Sequence, residues 1–415
     1  MDIDSEPPPV PDADLVDVRE LIARYSIEEL VGAADDYYRN NLGASPYWLS
    51  KPATSVEESV ELLASFAQVL GGVRPLAGMR VLDFGAGTGW TSRFLTQLGC
   101  EVVVCDASPT ALEIAAELFK RNPVSGPQPE PTFLVFDGRH IDLPDDSIDR
   151  IICIDAFHHV PNPSEVLREF GRVLRPGGVA GFQEPGPNHS RDPQSQFEMK
   201  NYTVIENDIR MRDIADWSRD AGLSEIRLAV FTAHPFHASI EEYEDYLAGG
   251  VTASRFYEHQ RGFAERHRLF FLTKGSASLA DSRERFGLAG DLSIEVIDHS
   301  VPQGDPFRLR ITARNTGHAI WLLNPPTPIG RVNLGAHLYD GEGHLLDRDY
   351  AHLALPDPAT NDTIGPGVEV SFDVDLPAPS EAGNYVVELD LVAEGVAWFS
   401  VLGGQPVSTH LTVTS

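Results

Sequence analysis

Chemistry in this sequence gathers on a glycine loop, a series of aspartates and a group of histidines. The loop is Val81-Leu82-Asp83-Phe84-Gly85-Ala86-Gly87-Thr88-Gly89-Trp90: two apolar residues, an acid, then glycine at alternate positions. Glycine there lets the backbone take positive φ and come close to a ligand. A nucleotide-type cofactor can then lie against the N-terminus of the helix that follows. The spacing is not the G-x-G-x-x-G of dinucleotide sites, and no lysine follows the glycines as it does in a nucleoside-triphosphate loop. Asp106 lies 17 residues beyond Gly89, where a carboxylate can accept both hydroxyls of a ribose, and Asp137-Gly138 can take an adenine amino group. Asp155 completes the series.

The histidines follow two of the same chain segments. His158 and His159 come just after Asp155-Ala156-Phe157, and Glu184 and His189 lie in Glu184-Pro185-Gly186-Pro187-Asn188-His189-Ser190. Histidine exchanges a proton near neutral pH more readily than any other side chain. The His158-His159 pair also has a simpler role open to it, packing or capping. A metal-assisted alternative would use Asp155 and Glu184 as oxygen ligands; their spacing gives it no specific support, and no metal is expected.

These residues need a scaffold that brings them to one edge, and the surrounding pattern supplies it. Arg80–Phe84, Glu101–Asp106, Thr132–Phe136, Arg150–Asp155 and Val179–Gln183 read as strands, with helices over Thr88–Leu98, Pro109–Arg121 and Ser164–Leu174. Arg175-Pro176-Gly177-Gly178 reads as a turn. A helix over Met211–Ala221 and strands over Glu225–Phe231 and Arg268–Lys274 complete this region. Near-continuous apolar strands alternating with helices predict an α/β, Rossmann-like parallel sheet covered on both faces. Asp83, Asp106, Asp137 and Asp155 then stand at or just past the carboxyl ends of four strands, where such sheets bind ligands.

Four segments frame that core. Residues 1–14 read as a disordered tail, and 15–75 as a helical cap rich in aromatics (Tyr37, Tyr38, Tyr47, Trp48). The core spans 76–275, so that cap and core together make a domain over 15–275. Residues 232–266 form a helical, aromatic-rich insertion expected to shape the substrate site. After a linker at 276–290, residues 291–415 alternate or run β-branched between turns such as Asp340-Gly341-Glu342-Gly343, which predicts an all-β sandwich.

Composition narrows the partners. Lysine and arginine number 32 against 62 aspartates and glutamates, a net charge of −30, and a field of that sign repels phosphate backbones and anionic membranes. No nucleic-acid partner is expected. No apolar run reaches 18 residues, so no transmembrane helix is expected either. The acidic, proline-rich N-terminus lacks the basic start and apolar centre of a signal peptide. Cys100, Cys105 and Cys153 sit in or beside predicted buried strands. Both features suit a cytoplasmic, reducing location.

The Asp-Phe-Gly-Ala-Gly-Thr-Gly loop, Ile154-Asp155-Ala156-Phe157-His158-His159-Val160 and Leu174-Arg175-Pro176-Gly177-Gly178 together resemble the class I S-adenosylmethionine-dependent methyltransferases over residues 79–275. The resemblance implies a seven-stranded mixed sheet whose last strand is antiparallel, and S-adenosyl-L-methionine as cofactor. It implies cofactor contacts at Asp83, Phe84, Gly85, Ala86, Gly87, Asp106, Ala107, Asp137, Gly138, Asp155 and Ala156, with Thr88, Trp90 and Ser108 as neighbours. Asp83 and Asp155 would face the cationic amino-acid end of the cofactor. Transfer to a hydroxyl needs a base; His189 is the first candidate and His158 the second, with Glu184 on the same edge.

The C-terminal segments Asn315-Thr316-Gly317-His318-Ala319-Ile320-Trp321 and Val332–Asp340 resemble sandwich domains of bacterial polysaccharide-assembly proteins, some of which recognise the end of an O-antigen chain. That implies a sugar hydroxyl of a glycan, glycolipid or glycosylated metabolite as acceptor, with Trp321 and Trp398 as candidate sugar platforms. The competing readings are a small aromatic or polyketide-like acceptor beside a spacer or oligomerising sandwich, and a non-catalytic glycan-binding scaffold.

Overall fold

Val81-Leu82, Val102-Val103-Val104 and Ile151-Ile152-Cys153 are buried on both sides of their strands, as parallel strands covered by helices must be. They belong to a computed structural model that describes residues 15–41, 47–126, 128–275, 280–325, 327–359 and 362–415, with the side chains of 41, 47 and 48 left out. The expected tail at 1–14 and the first part of the linker, 276–279, lie outside the described residues, and so do the rings of Tyr47 and Trp48. The chain divides into two compact units, 1–75 with 79–278, and 76–78 with 279–415.

In the first unit the helices α1 (Val18–Arg24), α2 (Ile27–Asn41), α3 (Tyr47–Ser50) and α4 (Val56–Val73) precede β1 (Arg80–Phe84). The core then runs α5 (Trp90–Gln97), β2 (Glu101–Asp106), α6 (Pro109–Arg121), β3 (Thr132–Val135), β4 (Ile148–Ile154), α7 (Pro163–Val173) and β5 (Leu174–Pro185). It ends with α8 (Pro193–Tyr202), α9 (Met211–Asp220), β6 (Leu223–Ala229), α10 (Ile240–Leu247), α11 (Val251–Arg266) and β7 (His267–Lys274). The sheet order is β3-β2-β1-β4-β5-β7-β6. Only β7 runs antiparallel to its neighbours β5 and β6. This is the mixed seven-stranded sheet that the resemblance implied. The strand order reverses between β1 and β4, so the crevice for a ligand opens beyond Phe84 and Ile154.

Two local readings change. Arg175-Pro176-Gly177-Gly178 lies within β5, because β4 pairs with β5 from Ile148↔Leu174 and again from Arg150↔Val179, with the register shifting between. Gly177, at φ 80°, carries the kink that keeps both ends of the strand paired. The helix after the glycine loop starts at Trp90, since Gly89 is still left-handed at φ 76°.

The second unit continues with β8 (Gly290–Val296), β9 (Ser300–Pro302), β10 (Pro306–Asn315), β11 (Trp321–Leu322), β12 (Val332–Asp340) and β13 (Leu345–Ala354). It closes with β14 (Thr363–Ile364), β15 (Glu369–Pro377), β16 (Gly383–Ala393), β17 (Ala397–Trp398) and β18 (Val407–Thr414). Sheets β15-β10-β8 and β13-β12-β16-β18-β9 enclose one apolar core, and β11-β14 form a small pair. Alternation in β10 sends Phe307, Leu309, Ile311 and Ala313 inward. Among the described residues, no helix is long and apolar enough to cross a membrane.

Candidate active site

Glycine sets the first wall of the site. Gly85 (φ 69°) and Gly87 (φ 53°) take left-handed conformations that a side chain would strain. A Cβ at Gly85 would come within 2.3 Å of Ala156 Cβ, and one at Gly87 within 2.8 Å of the Tyr38 hydroxyl. The loop therefore fits closely between the turn after β4 and helix α2. Asp106 closes it from the side: one carboxylate oxygen accepts Gly87 N–H at 2.7 Å and the other Ser108 N–H at 2.8 Å. Helix α2 is tied down beside it, because Asp35 accepts from Ser108 Oγ at 2.7 Å and Thr110 N–H at 3.0 Å.

A cavity of about 690 Å³ opens from this loop. Its wall includes Phe84, Gly85, Ala86, Gly87, Thr88, Trp90, Asp106, Ala107, Gly138, Asp155 and Ala156, with Tyr37 and Tyr38 of α2 opposite. The same cavity continues to His158, His159, His189 and Glu206. The size suits a nucleoside-type cofactor with an acceptor beside it, and the glycine cradle with an acid at its rim fits the S-adenosylmethionine that the resemblance implies.

The far end is assembled around two buried carboxylates. Glu184, at the end of β5, is fully buried. It accepts the backbone N–H groups of Ala156 (3.2 Å), Phe157 (2.8 Å) and His158 (3.2 Å), and holds His158 Nδ1 at 2.7 Å. It thereby builds the turn that carries both histidines. Glu206, 3% exposed, lies on the strap between α8 and α9. Asn207 fastens that strap to the same turn, through its backbone N–H to His158 O (2.9 Å) and its amide to Val160 O (2.8 Å). One Glu206 oxygen holds His189 Nε2 at 2.7 Å and accepts from Ser195 Oγ at 3.2 Å. His158 Nε2 is 3.8 Å from that oxygen, and His159 Nδ1 is 3.4 Å from the other.

Charges at this end reinforce each other. Burial acts to lower the His158 pKa, but the hydrogen bond and charge of Glu184, with Glu206 and Asp155, raise it to about 9. For Glu206, burial is outweighed by His159, His189 and His158, which hold its carboxyl well below the usual range. Asp155, exposed on the cavity wall, is also lowered: the desolvation it meets there is overcome by His158, Lys51, His159 and His189.

Most of the expected cofactor residues meet on one wall, but some stand behind it. Asp83 is turned into the protein, where Thr91 Oγ1 donates to it at 2.6 Å and Ser92 Oγ also donates; it does not face the cavity. Ser108 is fully buried as the N-cap of α6. Asp137 gives one oxygen to Arg139 N–H (2.8 Å) and His140 N–H (2.7 Å), so that only its neighbour Gly138 lines the cavity. Among the candidate bases, Glu184 lies beneath His158 and off the cavity wall, which makes it a positioning residue. Glu184 and Glu206 favour the protonated form of His158, which works against a role as base. His189 stays on the wall.

Sequence reasoning missed Glu206. The one local signal is an acid set among apolar residues, Val204-Ile205-Glu206-Asn207-Asp208-Ile209, of which Val204, Ile205 and Ile209 are buried. The insertion at 232–266, expected to shape the substrate site, contributes no residue to the cavity wall.

Comparison with known proteins fits this geometry. Residues 82–182 match the family described as methyltransferase domain. The methyltransferase GfsG of Streptomyces halstedii is 37% identical over 103 residues, 25% of this chain and 36% of that protein. A ubiquinone biosynthesis O-methyltransferase of Pseudomonas putida is 28% identical over 174 residues, 39% of this chain and 71% of that protein. The chain thus spans only about a third of GfsG. A Haemonchus contortus phosphoethanolamine N-methyltransferase structure superposes with a TM-score of 0.41 at 16% identity, over 64% of this chain and 61% of that one. That superposition adds nothing to the topology described above. The family match makes residues 82–182, from β1 through most of β5, a methyltransferase domain, with S-adenosylmethionine as its cofactor.

Proposed function

We propose that the chain is an S-adenosylmethionine-dependent O-methyltransferase whose acceptor is a sugar hydroxyl of a bacterial glycan, glycolipid or glycosylated metabolite. The observation that carries the reaction class is the continuity of one cavity, with the glycine loop and Asp106 at one end and His159, His189 and Glu206 at the other. Phe84, Gly85, Ala86, Gly87, Ala107, Gly138 and Ala156 would hold the cofactor, Asp106 its ribose and Asp155 its cationic end, with Asp83, Ser108 and Asp137 supporting from behind. When bound, the cofactor supplies an electrophilic methyl group. The chain's own residues bring an acceptor oxygen into line, which is mostly positioning, and remove its proton. His189 is the proposed base: Glu206 holds Nε2 at 2.7 Å, so that Nδ1, with Asp192 at 3.4 Å, would take the proton and the two carboxylates would stabilise the imidazolium that results.

The sugar acceptor rests on the C-terminal resemblance and on one feature of the second unit. Trp321 is wholly buried in the sandwich core, so it is no platform for a ligand. Trp398 is only half-buried and lies on Gly335, where a Cβ would come within 2.2 Å of the ring. His337 and His352 flank it at centroid distances of 4.3 Å and 5.4 Å, and Glu394 sits 2.6 Å from His352 Nδ1. An indole face with imidazoles and a carboxylate beside it suits a pyranose, which offers C–H groups to the ring and hydroxyls to its neighbours. The runner-up acceptor is a small aromatic metabolite, favoured by Tyr37, Tyr38, Trp90 and Phe136 on the cavity wall and by the named O-methyltransferase relative.

Calorimetry with S-adenosylhomocysteine tests the cofactor reading; a wild-type protein that gives no heat of binding refutes it. Mass spectrometry after incubation with glycan and small-metabolite pools then separates the acceptors. Methylated glycan supports the first reading, and a methylated aromatic alone replaces it with the second.

A further inference from the structure

We infer that the histidine end of the cavity is a binding site for one divalent d-block cation, ligated by His158, His159 and Glu206. This deepens the proposed transfer and rests on it for the cation's role, though not for its binding. One ring nitrogen of each histidine and one oxygen of Glu206 lie within 4.8 Å of one another. His159 Nδ1 and Glu206 Oε1 are 3.4 Å apart, about the edge of a tetrahedron whose metal–ligand bonds are roughly 2.0–2.1 Å. Two imidazoles and one carboxylate are the donor set that zinc, cobalt, manganese and iron accept, with positions left open for a further ligand.

Two observations within the cluster suit a cation there. Glu206 is 3% exposed, and its Oε1 accepts no hydrogen bond of normal length; its neighbours are His159 Nδ1 at 3.4 Å and the Glu198 carboxyl, whose hold on its proton Glu206 strengthens. A buried carboxylate oxygen without a normal hydrogen bond is expensive, and a cation beside it removes the deficit. His158 is arranged as a metal-bound imidazole usually is: Glu184 takes its Nδ1 at 2.7 Å, which turns Nε2 toward Glu206. The competing partner is the Ile205 carbonyl, 2.7 Å from His159 Nδ1. The His159 side chain is 39% exposed, so the ring has room to turn, and that carbonyl then stands as an additional oxygen donor. A cation that enters displaces the imidazole protons to solvent.

The open side of the cluster faces the cavity, where the cation would polarise the acceptor hydroxyl. The balance is simple. The methyl group leaves the sulfonium for the acceptor oxygen, the C–S bonding pair stays on sulfur, and the hydroxyl proton goes to His189.

Cobalt titration of the metal-stripped full-length chain tests the site, read by visible ligand-field absorption and with no turnover required. One equivalent of Co²⁺ per chain is expected to give bands of a mixed nitrogen–oxygen site. His159→Ala and Glu206→Gln should each weaken binding by at least about tenfold, with S-adenosylhomocysteine affinity retained. His140→Ala, on an exposed histidine away from the cavity, should change nothing. Absence of bands at millimolar cobalt overturns the inference, as does equal binding by wild type and both variants. Should Glu206→Gln fail to fold, the half-exposed His159 decides the outcome alone. Cobalt binding without S-adenosylhomocysteine binding would sink the methyltransferase reading and leave the cation site standing; the reverse result sinks only the cation site.

Discussion

At the glycine end the cavity is built on one backbone loop faced by aromatic rings, whereas at the histidine end it is built from polar side chains of separate segments. The first comes from one short stretch, 84–90, with Asp106 holding Gly87 N–H from the adjacent strand. The second needs the turn at 157–159, Glu184 beneath it, His189 and Ser195 beyond β5, and Glu206 on a strap after α8. A backbone loop of this kind presents much the same surface to one cofactor whatever the acceptor. A wall of side chains from separate segments can be changed one residue at a time. On the proposed reading, recognition of the shared donor falls to the first end and the reaction's particular chemistry to the second.

Substitutions at the two ends should therefore separate turnover from cofactor affinity. The largest effect is expected for His189→Ala. Loss of a positioned base lowers turnover by about 10²–10⁴-fold, while S-adenosylhomocysteine affinity, set at the other end, is retained. Product formation followed by mass spectrometry, with calorimetry on the same sample, reads both quantities. Near-normal turnover would remove His189 from the mechanism, and a parallel loss of affinity would dissolve the separation of the two ends.

Asp106→Ala should show the opposite pattern. Its carboxylate accepts two backbone N–H groups and is the proposed seat of the ribose hydroxyls. Hydrogen bonds to a charged group contribute about 1.5–3 kcal/mol each, so S-adenosylhomocysteine affinity should fall by at least about tenfold. Asp106→Asn should lose less, because its amide oxygen can still accept one of those N–H groups. Unchanged affinity in Asp106→Ala would mean that the glycine loop alone seats the cofactor.

The same contrast explains what could be read from the sequence. The sheet and its glycine loop are written in local patterns: apolar runs of strand length, glycines at 85, 87 and 89, and an acid at the end of β2. Each decides a conformation within a few residues, so each was legible. Glu206 gains its meaning from partners 11 to 48 positions away, Ser195, His189, His159 and His158, and no local pattern encodes that meeting. Asp83 shows the reverse failure. Its position before the loop was read correctly, but Thr91 and Ser92 on the next helix turn draw its carboxylate inward, away from the cavity. Trp398 and Trp321 looked equivalent as sugar platforms until burial separated a half-exposed ring from a core one.

Asp83 also provides the smallest test, because its buried carboxyl lies behind the glycine end and off the cavity wall. Burial raises its pKa to about 6, and the Thr91 and Ser92 hydroxyls recover only part of that penalty. An acid whose folded pKa lies above its unfolded value of about 3.9 holds its proton more tightly in the folded state. Its contribution to stability is therefore fully present below about pH 4 and is lost as the pH rises through about 6. Asp83→Asn keeps an acceptor for both hydroxyls but cannot ionise. Urea unfolding between about pH 4 and 7 should show wild-type stability losing on the order of 2 kcal/mol relative to the variant as the pH rises. Parallel pH profiles for the two proteins would show that Asp83 is already ionised at the low end of that range. The glycine end would then rest on a charge held by its hydroxyls, and the backbone alone would not account for its shape.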